Sequence, residues 1–388
     1  MRHAPRMLHV DVCADGTPIT LAVYVYGNPE GYPVVHLHGG PGANVSHYTS
    51  KYYDLKKYRL VMFDQRGCGN SKPRLLIEKG KNTTQLLIDD IERIRVSVMC
   101  CEKWLVAGGS WGSSLAMLYA QAHPDRTSGL LLRGFTDLTA DEVNNPVFNN
   151  MFTDHTEEFF RMVNLDYKKD SETKLVTKLY NRFRSFLPKR DVYDSKAAER
   201  HVRRHLTKKD HRILMDLFSD EQVYTIRNIK KERMTRARKR RRMNRTQRQR
   251  AEKLRRRTRK RRVAAMATAA FGPCAGYDAF KSYEREHRVF KVFADALITY
   301  HYGSNNFFIK KNQIVSKPNV ERIRNIPTIF VQGRFDVICP FKMTWDMHKR
   351  LNKSELLIAH GGHTNYNNEV AKLLCEATEK FKKILRVR

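Results

Sequence analysis

The chain has 388 residues, enough for one large domain carrying an insertion or for two to three ordinary domains. With 41% hydrophobic and 10% aromatic residues it is no disordered chain, and a mean hydropathy of −0.60 without an apolar run approaching 18 residues excludes a membrane-spanning helix. Charge is the anomaly: 73 Lys+Arg against 40 Asp+Glu give +33, and the tract from Lys230 to Arg262, with 20 basic and 2 acidic residues, holds more than half of that excess.

The N-terminal MRHAPRMLHVDVCADG has no apolar stretch of the kind that directs secretion. Leu8 to Val12 and Ile19 to Tyr26 flank the turn residues Asp15-Gly16-Thr17-Pro18 and predict an opening hairpin. Further strands are predicted at Val34 to Leu37, Arg59 to Phe63, Trp104 to Ala107, Leu130 to Leu132, Thr328 to Val331 and Glu355 to Ile358. Helical patterns fall between them, over Gln85 to Met99 and Ser113 to His123. Strands alternating with helices predict an α/β fold whose mostly parallel sheet is covered on both faces.

From about Asp137 to Lys317 the pattern turns helical and charged, and strand signals resume only at Pro327. Such an interruption predicts a helical lid inserted above the C-terminal ends of the strands. The expected organisation is a core of residues 1–136 and 318–388 and a lid of residues 137–317 that carries the basic tract, 230–262. The seven cysteines form no CxxC and no paired metal-ligand spacing. They read as reduced thiols in a reducing compartment, so a cytoplasmic location is expected, with neither metal nor cofactor.

Three motifs carry chemistry. Gly108-Gly109-Ser110-Trp111-Gly112 is a G-x-S-x-G lying between a predicted strand and a predicted helix, the context in which a sharp turn exposes a nucleophilic serine. His38-Gly39-Gly40-Pro41-Gly42 follows an earlier strand and has the glycine content of a loop whose backbone N–H groups hold an oxyanion. Gly40 and Trp111 are the expected donors. The order of this architecture is serine, acid, histidine, and Asp336 and His363 follow successive predicted strands. His363 is preferred to His360 because two glycines separate it from the strand, whereas His360 abuts it. Asp64-Gln65-Arg66-Gly67 reads as a structural loop. Asp89, Glu92 and Arg95 read as surface residues of a helix with i,i+3 pairing.

The chain resembles the proline iminopeptidase (prolyl aminopeptidase) family of α/β-hydrolases. The resemblance lies in HLHGGPG (36–42), FDQRGCGNSKP (63–73), NTTQLLIDDIERIR (82–95), KWLVAGGSWGSSLAMLYAQAHPDR (103–126), LLRG (131–134), HYGSNNFF (301–308), IPTIFVQGRFDVICP (326–340) and GHT (362–364). It implies Ser110 as nucleophile, His363 as base and Asp336 as the acid that orients it. It also implies a pocket for a cationic N-terminal nitrogen, with Glu284 as one of two lid glutamates and Arg133 as the arginine of the LRG stretch. Thr299 stands where the second glutamate is expected, and Thr136 where the family has a pocket phenylalanine, unless Phe135 has shifted into that place.

These readings point to a serine aminopeptidase that frees N-terminal proline from short peptides. An esterase or amidase of different acyl preference, and a nucleic-acid or nuclear binding protein on a hydrolase scaffold, stand as alternatives. The basic tract has Met234, Met243 and Leu254 as its only bulky apolar residues and no aromatic residue. It therefore reads as a solvated or disordered arm that meets nucleic acid or another polyanion through phosphates, with nuclear targeting open to it, and otherwise as a bland insertion. A membrane role ranks last, because no hydrophobic face accompanies the charge.

Overall fold

The computed structural model describes residues 4–138, 172–187, 201–202, 204–207, 288–336, 338–363 and 368–387. In chain order, β1 (Arg6–Val12), β2 (Pro18–Gly27), β3 (Tyr32–Leu37) and β4 (Tyr58–Phe63) precede α1 (Thr84–Ile94), β5 (Trp104–Gly109), α2 (Trp111–Ala122) and β6 (Thr127–Arg133). They are followed by α3 (Glu172–Arg184), α4 (Arg288–Ser304), α5 (Lys317–Ile323), β7 (Thr328–Gly333), α6 (Phe341–His348), β8 (Ser354–Ala359) and α7 (Asn368–Ile384). Each predicted strand is present, and the opening hairpin is β1 paired antiparallel to β2.

The strands form one eight-stranded sheet in the order β1-β2-β4-β3-β5-β6-β7-β8, antiparallel where β2 meets its neighbours and parallel from β4 onward. Its central strands are apolar without interruption because both faces are covered. Side chains alternate between two cores at the period of the pleat: Val35, Val106, Leu130, Leu132 and Phe330 enter one with residues of α1 and α2, while Val34, Leu105, Leu131, Ile329 and Val331 enter the other with Leu374 and Phe381 of α7. Moving any of these strands by one residue would exchange its two apolar sets between the layers, so both cores hold the register.

The order of the strands also locates the site. After β3 the chain runs outward to β4 and returns to place β5 on the other side of β3, so the connections leaving β3 and β5 diverge from adjacent strand ends. A crevice at the carboxyl ends of the strands is expected at such a reversal. The HGGPG loop leaves β3 there and Ser110 leaves β5.

The chain divides into two compact units, Met1–His205 with Phe293–Arg388, and Leu206–Val292. All eight strands belong to the first unit, as does α4 from Phe293 onward, although α4 falls within the range expected for the lid. The basic tract lies outside the described residues.

Two details of the predicted helices change. The pattern over Gln85 to Met99 is α-helical only to Ile94, and a π-helical turn covers Arg95–Met99 before Cys100 adopts a left-handed conformation at φ 50°. Arg95 is buried rather than at the surface: its guanidinium pairs with Glu92 at 2.7 Å and donates to the carbonyls of Cys101 and Glu102, tying the end of the helix to the start of β5. Glu92 in turn accepts from the Tyr119 hydroxyl of α2. Asp89 alone fits the surface reading, exposed and accepting from Gln85 at 2.9 Å.

Candidate active site

Ser110 sits between β5 and α2 at φ 56° and ψ −131°, a conformation that L-residues rarely adopt. The flanking glycines make this turn sterically possible. A Cβ on Gly108 would lie 2.1 Å from the Gly112 carbonyl oxygen, and one on Gly112 would lie 2.2 Å from that of Leu37. The turn is therefore closed against itself and against β3, and only residues without a side chain fit at those two positions. Backbone bonds fix it further: the Ser110 N–H donates to Arg133 O at 2.8 Å, and the Ser113 N–H donates to Ser110 O at 2.8 Å.

The structure brings Ser110, His363 and Asp336 together from three separate strand ends. His363 Nε2 lies 3.0 Å from Ser110 Oγ, and His363 Nδ1 lies 2.9 Å from Asp336 Oδ2. The Asp336 carboxylate is buried, and its other oxygen accepts the backbone N–H groups of Ile338 at 3.0 Å and Cys339 at 2.8 Å. Gln332 donates to the Cys339 carbonyl and lies 3.4 Å from Asp336 Oδ2. A carboxylate clamped in this way presents one oxygen to the imidazole and can hold Nδ1–H toward itself and Nε2 toward the serine. The loops of β7 and β8 are in register for this, with Arg334 N–H on Ala359 O and Phe335 N–H on Gly361 O.

The other histidines nearby are placed differently. His360 is exposed, and its backbone N–H donates to Glu369 at 2.9 Å. His36 is half-buried on β3 against the Tyr53 hydroxyl, and burial first, then the Arg133 charge, pushes its pKa down to about 3. It is neutral.

The HGGPG loop packs beside Ser110. A Cβ on Gly39 would lie 3.2 Å from that of Ser110, and Gly40 has φ 120°, a backbone open to glycine and strained for any other residue. The α2 helix begins at Trp111, so its first N–H groups have no carbonyl partner within the helix and face the site with the positive end of the helix dipole.

The expected pocket residues divide. Glu284 lies outside the described residues. Arg133 is at the site, but its Nη1 donates to the carbonyl of His363 at 2.6 Å, so it holds the histidine loop. The expectation that Phe135 lines the pocket is not met: its ring is fully buried and edge-on to Phe330 at 6.0 Å, within the core. Thr136 is buried as well, accepting from Ser114 Oγ on its carbonyl at 2.6 Å. Thr299 of α4 gives its hydroxyl to the carbonyls of Pro41 and Asp295, which joins the helix to the HGGPG loop.

Three residues at the site carried no sequence signal of their own. Cys339 is buried and its acidity suppressed by burial, so it is a neutral thiol. Gln332 orders the acid loop, with Thr344 Oγ1 donating to its carbonyl oxygen at 2.7 Å. Gln65 of the DQRG stretch lies between the HGGPG loop and Trp111.

The model of the alpha/beta hydrolase fold matches residues 32–191, and that of the TAP-like proteins matches residues 298–377. The chain is 32% identical over 362 residues to a proline iminopeptidase of Xylella fastidiosa, an alignment covering 92% of this chain and 90% of that one. It is 30% identical to a proline iminopeptidase of Arabidopsis thaliana, covering 92% and 76% of the two chains. Among solved structures, the lip1 protein of Acinetobacter baumannii AYE superposes with a TM-score of 0.53 over 99% of this chain and 93% of that one, at 14% identity. At that identity the likeness is one of fold.

Proposed function

The chain belongs to the proline iminopeptidase family of α/β-hydrolases, and from that premise we propose that it is a serine aminopeptidase that releases N-terminal proline from short peptides through an acyl-enzyme. The observation that carries this reading is the hydrogen-bonded chain Ser110–His363–Asp336 at a strained strand-to-helix turn. Ser110 Oγ attacks the scissile carbonyl carbon while His363 Nε2 takes its proton, and Asp336 stabilises the resulting imidazolium. The oxygen of the tetrahedral intermediate faces the backbone N–H groups of Gly40 and Trp111. As the C–N bond breaks, His363 returns its proton to the leaving amine. A water then attacks the acyl-enzyme by the same route and frees the acid.

In the same proposal the helical lid spans 137–317, and Glu284 within it holds the substrate's ammonium group. Thr299 is engaged with the HGGPG loop and Phe135 and Thr136 are buried, so proline preference rests on the lid. An esterase or amidase with another acyl preference uses the same three residues. The deciding experiment is a panel of prolyl, alanyl and other aminoacyl amides beside short-chain esters, run on the wild type and on Ser110→Ala. Higher kcat/KM on prolyl amides than on all others supports the aminopeptidase reading, and faster turnover of esters replaces it.

The role of Glu284 has its own test. If it pairs with the ammonium, Glu284→Gln lowers kcat/KM on aminoacyl substrates by about 1.5–3 kcal/mol, roughly ten- to hundredfold, and leaves neutral esters nearly untouched. Equal losses on both classes would mean a structural glutamate.

The basic tract is proposed as a polyanion-binding arm, supported by its net charge of +18 in 33 residues with almost nothing to bury. Cytoplasmic residence, with nuclear entry through the tract, belongs to the same proposal. Among the described residues no helix is long and apolar enough to cross a membrane. Deleting Lys230 to Arg262 should preserve turnover of a small neutral substrate and abolish salt-sensitive binding to duplex DNA and to RNA, because such binding comes from counterion release. If the deletion leaves binding, salt slope and the cellular location of a tagged version all unchanged, the tract is a bland insertion.

A further inference from the structure

The reaction needs two N–H groups from two different chain segments to point at one oxygen, Gly40 from the loop after β3 and Trp111 from the start of α2. The pairing of β3 with β5 ends at Leu37 and Gly108, and both donors lie beyond it. Between them lies the side chain of Gln65, 2% exposed, on the loop that follows β4. Its carboxamide oxygen accepts the Trp111 indole N–H at 2.9 Å, and its carboxamide nitrogen donates to the His38 carbonyl at 2.9 Å. Its backbone N–H adds a third link, donating to His38 Nε2 at 3.0 Å.

Both attached groups are themselves packed in place. The Trp111 indole is stacked on Phe307 at 5.8 Å and tilted against Tyr302 at 5.2 Å, so its remaining freedom is the rotation that the Gln65 bond stops. His38 is buried, and its carbonyl belongs to the residue that leads into Gly39 and Gly40. Gln65 is anchored by its neighbours in sequence. Asp64 accepts the N–H groups of Val45 at 2.7 Å and Asn70 at 2.8 Å, and Arg66 forms a two-pronged ion pair with buried Asp90 at 2.7 and 2.9 Å.

We infer that Gln65 is a positioning residue that holds the two halves of the oxyanion site at one separation. This rests on the serine-hydrolase reading above. It gives the DQRG loop a part in the rate of the reaction through Trp111 and His38, without contact with substrate. An amide serves both links at every pH: an ionised carboxylate could accept from the indole but would face the His38 carbonyl with a second acceptor, and an apolar side chain would leave a buried indole N–H and a buried carbonyl without partners.

The test uses a fluorophosphonate, which needs no knowledge of the natural substrate. Ser110 Oγ bonds to phosphorus, fluoride leaves, the serine proton passes to His363, and the phosphoryl oxygen occupies the oxyanion site. The full chain is compared as wild type, Gln65→Met, Gln65→Glu, Trp111→Phe and the Gln65→Met, Trp111→Phe double variant. Removing one oxyanion donor outright lowers rates by roughly 10²–10³, so a misplaced one should lower the maximal labelling rate about ten- to hundredfold. The half-saturating probe concentration should stay within about threefold, because ground-state binding does not use these donors. In the double variant the loss should match that of Gln65→Met, since the bond that Trp111→Phe cuts is one of the two that Gln65→Met has already removed.

A folded Gln65 variant that labels at the wild-type maximal rate overturns the inference, as do losses confined to half-saturation or losses that multiply in the double variant. Should Gln65→Met fail to fold, Gln65→Glu and Trp111→Phe carry the same comparison. Wild-type protein that takes no label, or takes it equally as Ser110→Ala, refutes the serine-hydrolase reading instead.

Discussion

Ser110→Ala should lower kcat on any substrate of the protein by about six orders of magnitude while leaving the fold intact, the loss expected where serine, histidine and acid act as a unit. Stability should change little. The conformation at φ 56° is imposed by Gly108 and Gly112 on either side, by the Ser110 N–H bond to Arg133 O and by the Ser113 N–H bond to Ser110 O, none of which involves the hydroxyl. Serine and alanine both bear a Cβ and suffer the same strain there, so the exchange adds no new backbone cost. The deleted oxygen leaves His363 Nε2 without one partner, but His363 is only partly buried, which lets water replace it. The measurement is kcat on an aminoacyl amide beside a thermal melt. Activity within tenfold of wild type would remove Ser110 from the mechanism.

Much of this site was legible in the sequence because its constraints are local. The turn at Ser110 needs small residues two positions before and after it, and that requirement is written in five consecutive letters. Asp336 and His363 were legible for a related reason, since each lies just past an apolar run and the chain order of the three is fixed by the order of the strands. The alternation of apolar residues likewise carried the sheet, whose central strands have two faces to bury.

What the letters could not carry depends on distant partners. Nothing in LLRG distinguishes an arginine that meets a substrate from one that holds the carbonyl of a residue 230 positions away. Phe135 looked available for a pocket, but whether a ring faces a cavity or Phe330 is settled by the pairing of β6 with β7 across a long insertion. Gln65 stood in a loop whose charged neighbours suggested simple capping, and its two amide links appear only when β3, β4 and α2 meet. The same holds for Arg95, which periodicity assigned to the surface and a π-helical turn directs inward.

The two histidines after β8 provide the second large effect. His363→Ala should approach the loss of Ser110→Ala, because no other described imidazole lies against the serine hydroxyl, and without a base the hydroxyl is a poor nucleophile. The substitution is a clean one. The carbonyl that Arg133 holds belongs to the backbone and survives it, and Asp336 retains the N–H groups of Ile338 and Cys339, so neither the loop nor the carboxylate is abandoned. His360→Ala should reduce the rate only modestly, since that imidazole is exposed and the link to Glu369 is made by backbone N–H, which alanine keeps. The measurement is kcat for the two alanine variants on one substrate. If His360→Ala is the crippled variant and His363→Ala is nearly as active as wild type, the base belongs at residue 360 and the hydrogen bond to Ser110 is not the one the reaction uses.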